Sequence, residues 1–242
     1  MRILVAPDKL KGSLSAAEAA RAIHRGVAQA FPGATIVEMP VADGGEGTME
    51  AIHAARGGEW MHLNARDPLG RIIAARYLWL AKESAAVIGM CEASGMRHLK
   101  KEERNPLEAS TFGTGELIRD AIARGAKRIL VGLGGSATND GGIGMAAALG
   151  YRFLTSDGEE LRAVPASLLA LTSIRMGNVP AMPEIVAACD VRNPLLGANG
   201  ATRVYGPQKG VDEKSAEFLE QALENLADVA AHDFGRDFRN EP

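Results

Sequence analysis

Three loop segments of this chain occupy equivalent places: each follows a short apolar run and precedes a helical pattern. The apolar runs Ile3–Ala6, Thr35–Val41 and Arg128–Leu133 have the length of buried strands. Strand, short helix and strand in series predict an α/β fold with a parallel sheet. Because open sheets of this class bind ligands at the carboxyl ends of their strands, the three loops are the first places to look for chemistry.

Helix signals support this alternation. Ser15 and Glu18 have the spacing of a capping box and predict a helix that begins there. A second helix is predicted over Gly115–Arg124, with Gly125 as a left-handed C-terminal cap. A late amphipathic helix covers roughly Asp212 to His232.

The sequence pattern changes between the helix predicted to begin at Ser15 and the one predicted over Gly115–Arg124. Strand-like runs lie close together there, at Trp60–Asn64, Arg71–Ala81 and Ala85–Cys91, and tight turns favour antiparallel pairing. Glu184–Cys189 indicates a further strand. We therefore expect a second lobe inserted into the first. The predicted parallel α/β lobe comprises residues 1–57 and 107–150, and the mixed α/β lobe comprises residues 58–106 and 151–242.

Composition excludes several classes of function. Of the 242 residues 46% are hydrophobic and 24% charged, and the net charge of −3 offers no attraction to nucleic acid or an anionic membrane. No apolar stretch approaches the ~20 residues of a membrane span. The five histidines show no metal-ligand spacing, which argues against zinc or iron. Cys91 and Cys189 lie in apolar runs, so we expect two buried, reduced thiols in a cytoplasmic protein.

The first loop, residues 6–15, joins a strand to the start of a helix, where free N–H groups bind anions. Lys9 and Lys11 add mobile cations, Ser13 adds a hydroxyl group and Asp8 a carboxylate. The alternative is a capped surface turn with solvated lysines.

The second loop, residues 40–48, contains three glycines, which allow the backbone to approach a ligand closely. Asp43 and Glu46 are suited to Mg²⁺ or to substrate hydroxyl groups. The alternative is an ordinary polar turn.

The third loop, residues 132–144, has six glycines between a strand and a helix, which favours a cradle for phosphate or nucleotide. Gly132, Gly134 and Ala137 also match the dinucleotide fingerprint G-x-G-x-x-A. The next acids, Asp157 and Glu159, fall in a turn rather than at a second strand end, which weighs against an NAD(P) oxidoreductase. No segment has the G-x-x-x-x-G-K-[ST] pattern of a P-loop.

Two later segments complete the set. Asp190 stands where an apolar strand ends, a partly desolvated position suited to a general base or a metal ligand. Lys209 lies in a rigid turn over residues 205–210. Either feature is also common in ordinary turns.

Together these segments resemble the bacterial family of ATP-dependent glycerate kinases. The resemblance rests on ordered motifs that span almost the whole chain: APDKLKGSLSA (6–16), PVADGGEGT (40–48), DPLGR (67–71), TGEL (114–117), GLGGSATNDGGIGMAAALG (132–150), CDVRNPLLG (189–197) and GPQKG (206–210).

The resemblance implies a two-lobe α/β protein with one flavodoxin-like lobe and an active site in the cleft between lobes. It also implies ATP and Mg²⁺, with D-glycerate as the small-molecule substrate. The oligomeric state is left open, with a homodimer as one option. Family members continue well beyond Pro242 into a Gly/Ala-rich segment, so we expect residues 1–242 alone to phosphorylate glycerate poorly or not at all. A fragment that binds nucleotide or glycerate without turnover is the alternative.

The residues can be given expected roles on this basis. Asp190 is the first candidate for the base and Asp8 the second, with Lys11 as a catalytic cation. Asp43 and Glu46 are the expected metal ligands. The expected substrate- and nucleotide-binding residues are Lys9, Ser13, Asp43, Gly44, Gly45, Glu46, Gly134, Gly135, Ser136, Thr138, Asn139, Asp140, Gly141, Asn193, Gln208 and Lys209.

Overall fold

A computed structural model describes residues 1–10 and 13–239 of the chain. The strands are Arg2–Val5 (β1), Thr35–Glu38 (β2), Glu59–Arg66 (β3), Ile72–Leu80 (β4), Ala85–Gly89 (β5), Arg128–Gly132 (β6), Tyr151–Leu154 (β7), Ser173–Met176 (β8) and Glu184–Ala188 (β9). The α-helices are Ala16–Ala30 (α1), Thr48–Arg56 (α2), Cys91–Ser94 (α3), Phe112–Ala123 (α4), Ile143–Ala148 (α5), Ala201–Tyr205 (α6) and Glu213–Phe234 (α7). The predicted α/β class is confirmed.

A five-stranded mixed sheet in the order β3-β4-β5-β6-β9 forms the centre of the structure. The β3–β4 and β4–β5 pairs are antiparallel, as predicted, and the β5–β6 and β6–β9 pairs are parallel. Gly89 is in register with Gly132, and Gly132 with Ala188. The parallel strands therefore end at one level, and the loops that follow them meet at one edge.

The first two strands stand apart from this sheet. β1 and β2 form a parallel pair of their own, against which α1 packs through buried Ala19 and Ala20. Beyond the pair, the Met39 N–H donates to the Val5 carbonyl at 2.8 Å and the Val41 N–H to the Pro7 carbonyl at 3.1 Å. The loops after β1 and β2 therefore run side by side.

The expected lobe boundaries stay a prediction. The central sheet takes β3 to β5 from residues 58–106, β6 from residues 107–150 and β9 from residues 151–242. β6 pairs with β5 and β9 rather than with β1 or β2, because the crossover through α4 returns the chain beside β5.

The last helix covers a separate apolar cluster. α7 is capped at its start by Asp212, which accepts the Ser215 N–H, and at its end by Gly235 in the left-handed conformation. Leu223 and Leu226 pack there against Phe153 and Ile174 of the β7–β8 hairpin. Among residues 1–10 and 13–239, no helix is long and apolar enough to cross a lipid bilayer.

The two cysteines are both free. Cys91 is buried as expected, but the prediction of a buried Cys189 is wrong. Cys189 follows β9, which lies at the end of the strand order and has mostly exposed residues, so its apolar run is not covered.

Candidate functional site

The second and third predicted loops meet through glycine backbones. A Cβ atom on Gly44 would lie 2.6 Å from the Ala188 carbonyl oxygen, and one on Gly134 would lie 2.5 Å from the Gly45 Cα. The Gly134 N–H donates to the Gly44 carbonyl at 3.1 Å. Any side chain at these positions would force the loops apart, so glycine is what brings loop 43–46 onto the ends of β6 and β9.

A lysine from the first loop joins this contact. Lys9 Nζ donates to the Glu46 carbonyl at 3.0 Å and lies 3.6 Å from Asp43 Oδ1. The Gly45 N–H also donates to Asp43 Oδ1, at 3.1 Å. That hydrogen bond, helped by the charge of Lys9, lowers the pKa of Asp43 below its ordinary value, so the carboxylate is ionised at neutral pH.

The first half of the glycine loop lies beside the segment that follows β5. The Met96 N–H donates to the Gly135 carbonyl at 3.0 Å, and the Ala137 N–H donates to the Ser94 carbonyl at 2.8 Å. Gly135 has a φ of +77°, and a Cβ there would meet Cys91 Cβ at 3.1 Å and Glu46 Cγ at 3.6 Å. Three strand-end loops therefore converge around Gly135.

Lys209 anchors the same loop from the other side. Its ammonium group donates to Ser136 Oγ at 3.0 Å and to the Thr138 carbonyl at 2.6 Å. Burial lowers its pKa to about 8, while the charge of Asp140 acts in the opposite direction. The lysine of the 205–210 turn thus lies directly on the predicted phosphate loop.

The neighbours of Lys209 have protein partners of their own. Gln208 is exposed, and its backbone carbonyl accepts from Arg104 Nη1 at 2.9 Å. Asn139 Nδ2 donates to Thr202 Oγ1 at 2.9 Å, which ties the loop to α6.

The second half of the glycine loop is enclosed in the protein. Asp140 is 2% exposed. Its carboxylate accepts from the Thr111 N–H and hydroxyl and from the N–H groups of Gly142 and Gly144, at 2.7 to 3.2 Å. Burial raises the pKa of Asp140 even though these donors favour its charged form.

Gly141 lies under the last helix. A Cβ on it would be 2.5 Å from Leu226 Cδ2 of α7. The sequence predicted one cradle within residues 132–144, whereas the structure divides the loop. Gly134 to Ser136 face the other loops, and Asp140 and Gly141 join the start of α5 to its surroundings.

The loop after β9 reaches the same edge, since the Leu133 N–H donates to the Ala188 carbonyl at 3.3 Å. Asp190, two residues on, is exposed, so the expected partial desolvation is wrong. The reason is again that β9 lies at the end of the sheet. Asn193 is occupied within its own loop, accepting from the Tyr205 hydroxyl at 2.6 Å and donating to the Asn199 carbonyl at 2.8 Å.

The other described candidate residues of the first loop make their hydrogen bonds within that loop. Asp8 is half-buried and its Oδ1 accepts the Lys9 N–H at 2.6 Å. Ser13 is exposed, with its N–H bound to the Leu10 carbonyl at 2.9 Å. Lys11 lies outside the described residues.

Similarity to known proteins identifies the family to which a chain with this site belongs. The model of the glycerate kinase family matches residues 3–242. The chain belongs to the glycerate kinase family.

Named relatives agree with that membership. The chain is 44% identical to a glycerate kinase of Bacillus subtilis (strain 168), over 99% of this chain and 64% of that protein. It is 43% identical to a glycerate 2-kinase of Escherichia coli (strain K12), over 100% of this chain and 64% of that protein. A crystal structure described as glycerate kinase 2 from Salmonella typhimurium LT2 superposes with a TM-score of 0.87 at 41% identity, covering 99% of this chain and 66% of that one. The chain thus spans 64% of the length of these two curated family members.

Sequence reasoning missed one charged pair beside the family's glycine loop. Arg97 Nη2 lies 2.8 Å from Glu92 Oε1, and the Glu92 side chain is 5% exposed. Both residues follow β5, whose carboxyl end shares an edge with those of β6 and β9. The strand-end rule applied to the other loops could have found them, but the segment lacks the glycine-rich composition that drew attention elsewhere.

Proposed function

We propose that this chain carries the phosphoryl-transfer site of an ATP-dependent glycerate kinase, which moves the γ-phosphoryl group of ATP to D-glycerate and releases phosphoglycerate and ADP. The observation that carries the proposal is the convergence of the loops after β1, β2, β5, β6 and β9. Lys9, Asp43 and Glu46 lie on these loops, and Lys209 binds the loop after β6. Family membership supports the choice of reaction.

Phosphoryl transfer depends on positioning and charge neutralisation more than on covalent chemistry by the protein. Gly134 to Ser136 would face the phosphates. Ser136 Oγ accepts from Lys209, which leaves its own hydroxyl hydrogen to donate to a phosphate oxygen. Lys9, whose side chain is 18% exposed, would offset negative charge on the transferred group.

The acids suit Mg²⁺. Magnesium in kinases is commonly held by one or two carboxylates together with substrate phosphates and water. The Asp43 side chain is 50% exposed, so it fits that role, and Glu46 lies beside the phosphate loop against Gly135. No group of three His, Cys, Asp or Glu side chains within residues 1–10 and 13–239 forms an all-protein metal cage. When bound, the metal would neutralise phosphate charge, and these two carboxylates would hold it.

A base must accept the proton of the attacking hydroxyl group. Asp190 is the first candidate, since it follows the strand whose end contacts Gly44. Asp8 is the second, although its Oδ1 already accepts the Lys9 N–H. The exposure of Asp190 also favours a second candidate function, namely binding of nucleotide or glycerate without turnover.

Single-turnover transfer from γ-³²P-labelled ATP to D-glycerate tests the proposal. Because the relatives are longer than this chain, the assay is run on the chain alone and on the chain joined to the remaining part of a relative. Labelled phosphoglycerate formed by either protein, and absent with glycerol as acceptor, supports the kinase. Calorimetric binding of ATP without any transfer supports the binding function instead. We place either activity in the cytoplasm and keep a homodimer as a hypothesis.

The phosphate cradle has its own test. Gly135→Val places a side chain against Cys91 and Glu46, whereas Gly158→Val changes a glycine of similar φ, +82°, with no atom within 4 Å. We expect Gly135→Val to weaken ATP binding at least ten-fold and Gly158→Val to leave it within two-fold. Equal affinities in the two variants would contradict the cradle.

A further inference from the structure

Arg97 is the cation beside the glycine loop that the proposed kinase chemistry does not use. Its neighbour Met96 donates to the Gly135 carbonyl at 3.0 Å, and Gly95 forms an antiparallel bridge with Ser136. The segment that precedes Arg97 is therefore fixed to the loop at residues 135–137 by backbone hydrogen bonds. Its side chain is 41% exposed, so the guanidinium group remains open to a ligand.

Glu92 holds this arginine in place. The Glu92 carboxylate is buried, with Oε1 2.8 Å from Arg97 Nη2 and Oε2 3.7 Å from Arg76 Nε. A buried carboxylate is costly unless it is paired, so both arginines are strongly retained around it. Glu92 thereby orients the guanidinium group of Arg97 with little freedom.

Arg76 and Arg97 differ in how many partners each already has within the protein. Arg76 also binds Glu50 Oε1 at 2.6 Å and lies over the Trp60 ring at 4.1 Å. Arg97 has one ion pair, to Glu92, within the described part of the chain. Since a guanidinium group carries five N–H donors in a planar fork, Arg97 keeps enough of them to bind an anionic group of two oxygens.

Glu46 gives the position its selectivity. Its side chain packs on Gly135, with Cγ 3.6 Å from the site of a Cβ there. Burial of the guanidinium lowers the pKa of Arg97, but the ion pair and hydrogen bond with Glu92 chiefly offset that effect and the pKa stays above its ordinary value. Arg97 is thus cationic, and the Glu46 carboxylate lies at the same part of the glycine loop, with Oε1 3.9 Å from the Cβ position of Gly135.

A cation and a hydrogen-bond acceptor that both lie at the glycine loop around Gly135 suit a small hydroxy acid. We infer that Arg97, oriented by Glu92, binds the carboxylate of the acceptor acid, while the Glu46 oxygen that does not hold the metal accepts a hydrogen bond from one of its hydroxyl groups. The inference rests on the proposed function for the identity of the acid.

Binding calorimetry tests it without requiring turnover. The wild-type chain, Arg97→Gln, Arg97→Lys and the exposed control Arg25→Gln are titrated with D-glycerate, with glyceramide (which lacks the carboxylate) and with ADP. We expect Arg97→Gln to weaken glycerate binding about 10–100-fold, the usual range for a charged hydrogen-bonded pair, and to leave ADP affinity within two-fold. Arg97→Lys keeps the charge but loses the fork, so an intermediate loss is expected. Arg25→Gln should match the wild type.

The outcomes separate this inference from the proposed function. Loss of ADP affinity equal to the loss for glycerate would assign Arg97 to the nucleotide phosphates and overturn the inference. Unchanged glycerate affinity in Arg97→Gln, or no glycerate binding by the wild type, would overturn it as well. Arg97-dependent glycerate binding in a chain that transfers no phosphate would uphold the inference while the kinase proposal fails. Should Arg97→Gln not fold, the same comparison is made with Arg97→Lys, for which unchanged affinity counts against it.

Discussion

The Lys209 ammonium group lies 2.6 Å from the Thr138 carbonyl oxygen. This contact and the one to Ser136 join two segments that are about seventy residues apart, and they place a nearly buried amine behind the proposed phosphate loop. Because the pKa of Lys209 falls from 10.5 to about 8 on folding, the contact has a measurable pH signature.

Protein stability should rise with pH in a window set by Lys209. The unfolded chain binds more protons than the folded one between pH about 8 and about 10.5, so the free energy of unfolding increases across that range. The full contribution of this group is on the order of 3 kcal/mol. Urea unfolding of the wild type and of Lys209→Met at pH 7 and pH 10 measures it. From pH 7 to pH 10 the free energy of unfolding of the wild type should rise relative to that of Lys209→Met. Equal changes in the two proteins would refute this.

A comparison of substitutions at Gly44 and Gly47 tests the close contact between Gly44 and Ala188. Both have positive φ, +91° and +95°, but only a Cβ on Gly44 would collide, at 2.6 Å from the Ala188 carbonyl oxygen. Gly47→Ala should cost about 1 kcal/mol from backbone strain alone, and Gly44→Ala at least about 1–2 kcal/mol more. Thermal unfolding and ADP binding of the two variants give the comparison. Equal losses would mean that the close approach is unimportant.

Asp140 should prove a structural residue. Asn in its place keeps the shape but turns an NH₂ group toward backbone N–H donors, so at least one donor loses its acceptor. We expect Asp140→Asn to lower the free energy of unfolding by about 3 kcal/mol. The exposed Asp157→Asn is the control and should stay within about 0.5 kcal/mol. A stable Asp140→Asn protein with impaired nucleotide binding would instead support the ligand role first expected for this residue.

A variant of Asp190 tests which residue is the general base. In a chain that phosphorylates glycerate, Asp190→Asn should reduce kcat about 10²–10⁴-fold, because it removes the group that accepts the hydroxyl proton. KM for ATP should change little. The same measurement on Asp8→Asn decides between the two candidates. If Asp190→Asn keeps more than a tenth of the wild-type kcat, it is not the base.

Local sequence signals were reliable where a few neighbouring residues decide the conformation. The Ser15–Glu18 capping box forms as predicted at the start of α1, and Gly125 has a φ of +89° after α4. The antiparallel run from β3 to β5 was also predicted correctly. Burial was harder to predict: apolar flanks suggested cover for Cys189 and Asp190, yet both are exposed because their strand ends the sheet.

The sequence by itself determined the order of strands and helices, the family and the glycine segments at the strand ends, because periodicity, capping and turn chemistry act over a few residues. The tertiary structure alone decided which residues of those segments meet: Gly44 with Ala188, Lys209 with Thr138, and Arg97 with the loop at Gly135. It also divided the long glycine loop into an open half and a half enclosed under α7. These contacts join distant parts of the chain, and the parallel crossovers that create them depend on how whole elements pack, which no local pattern specifies.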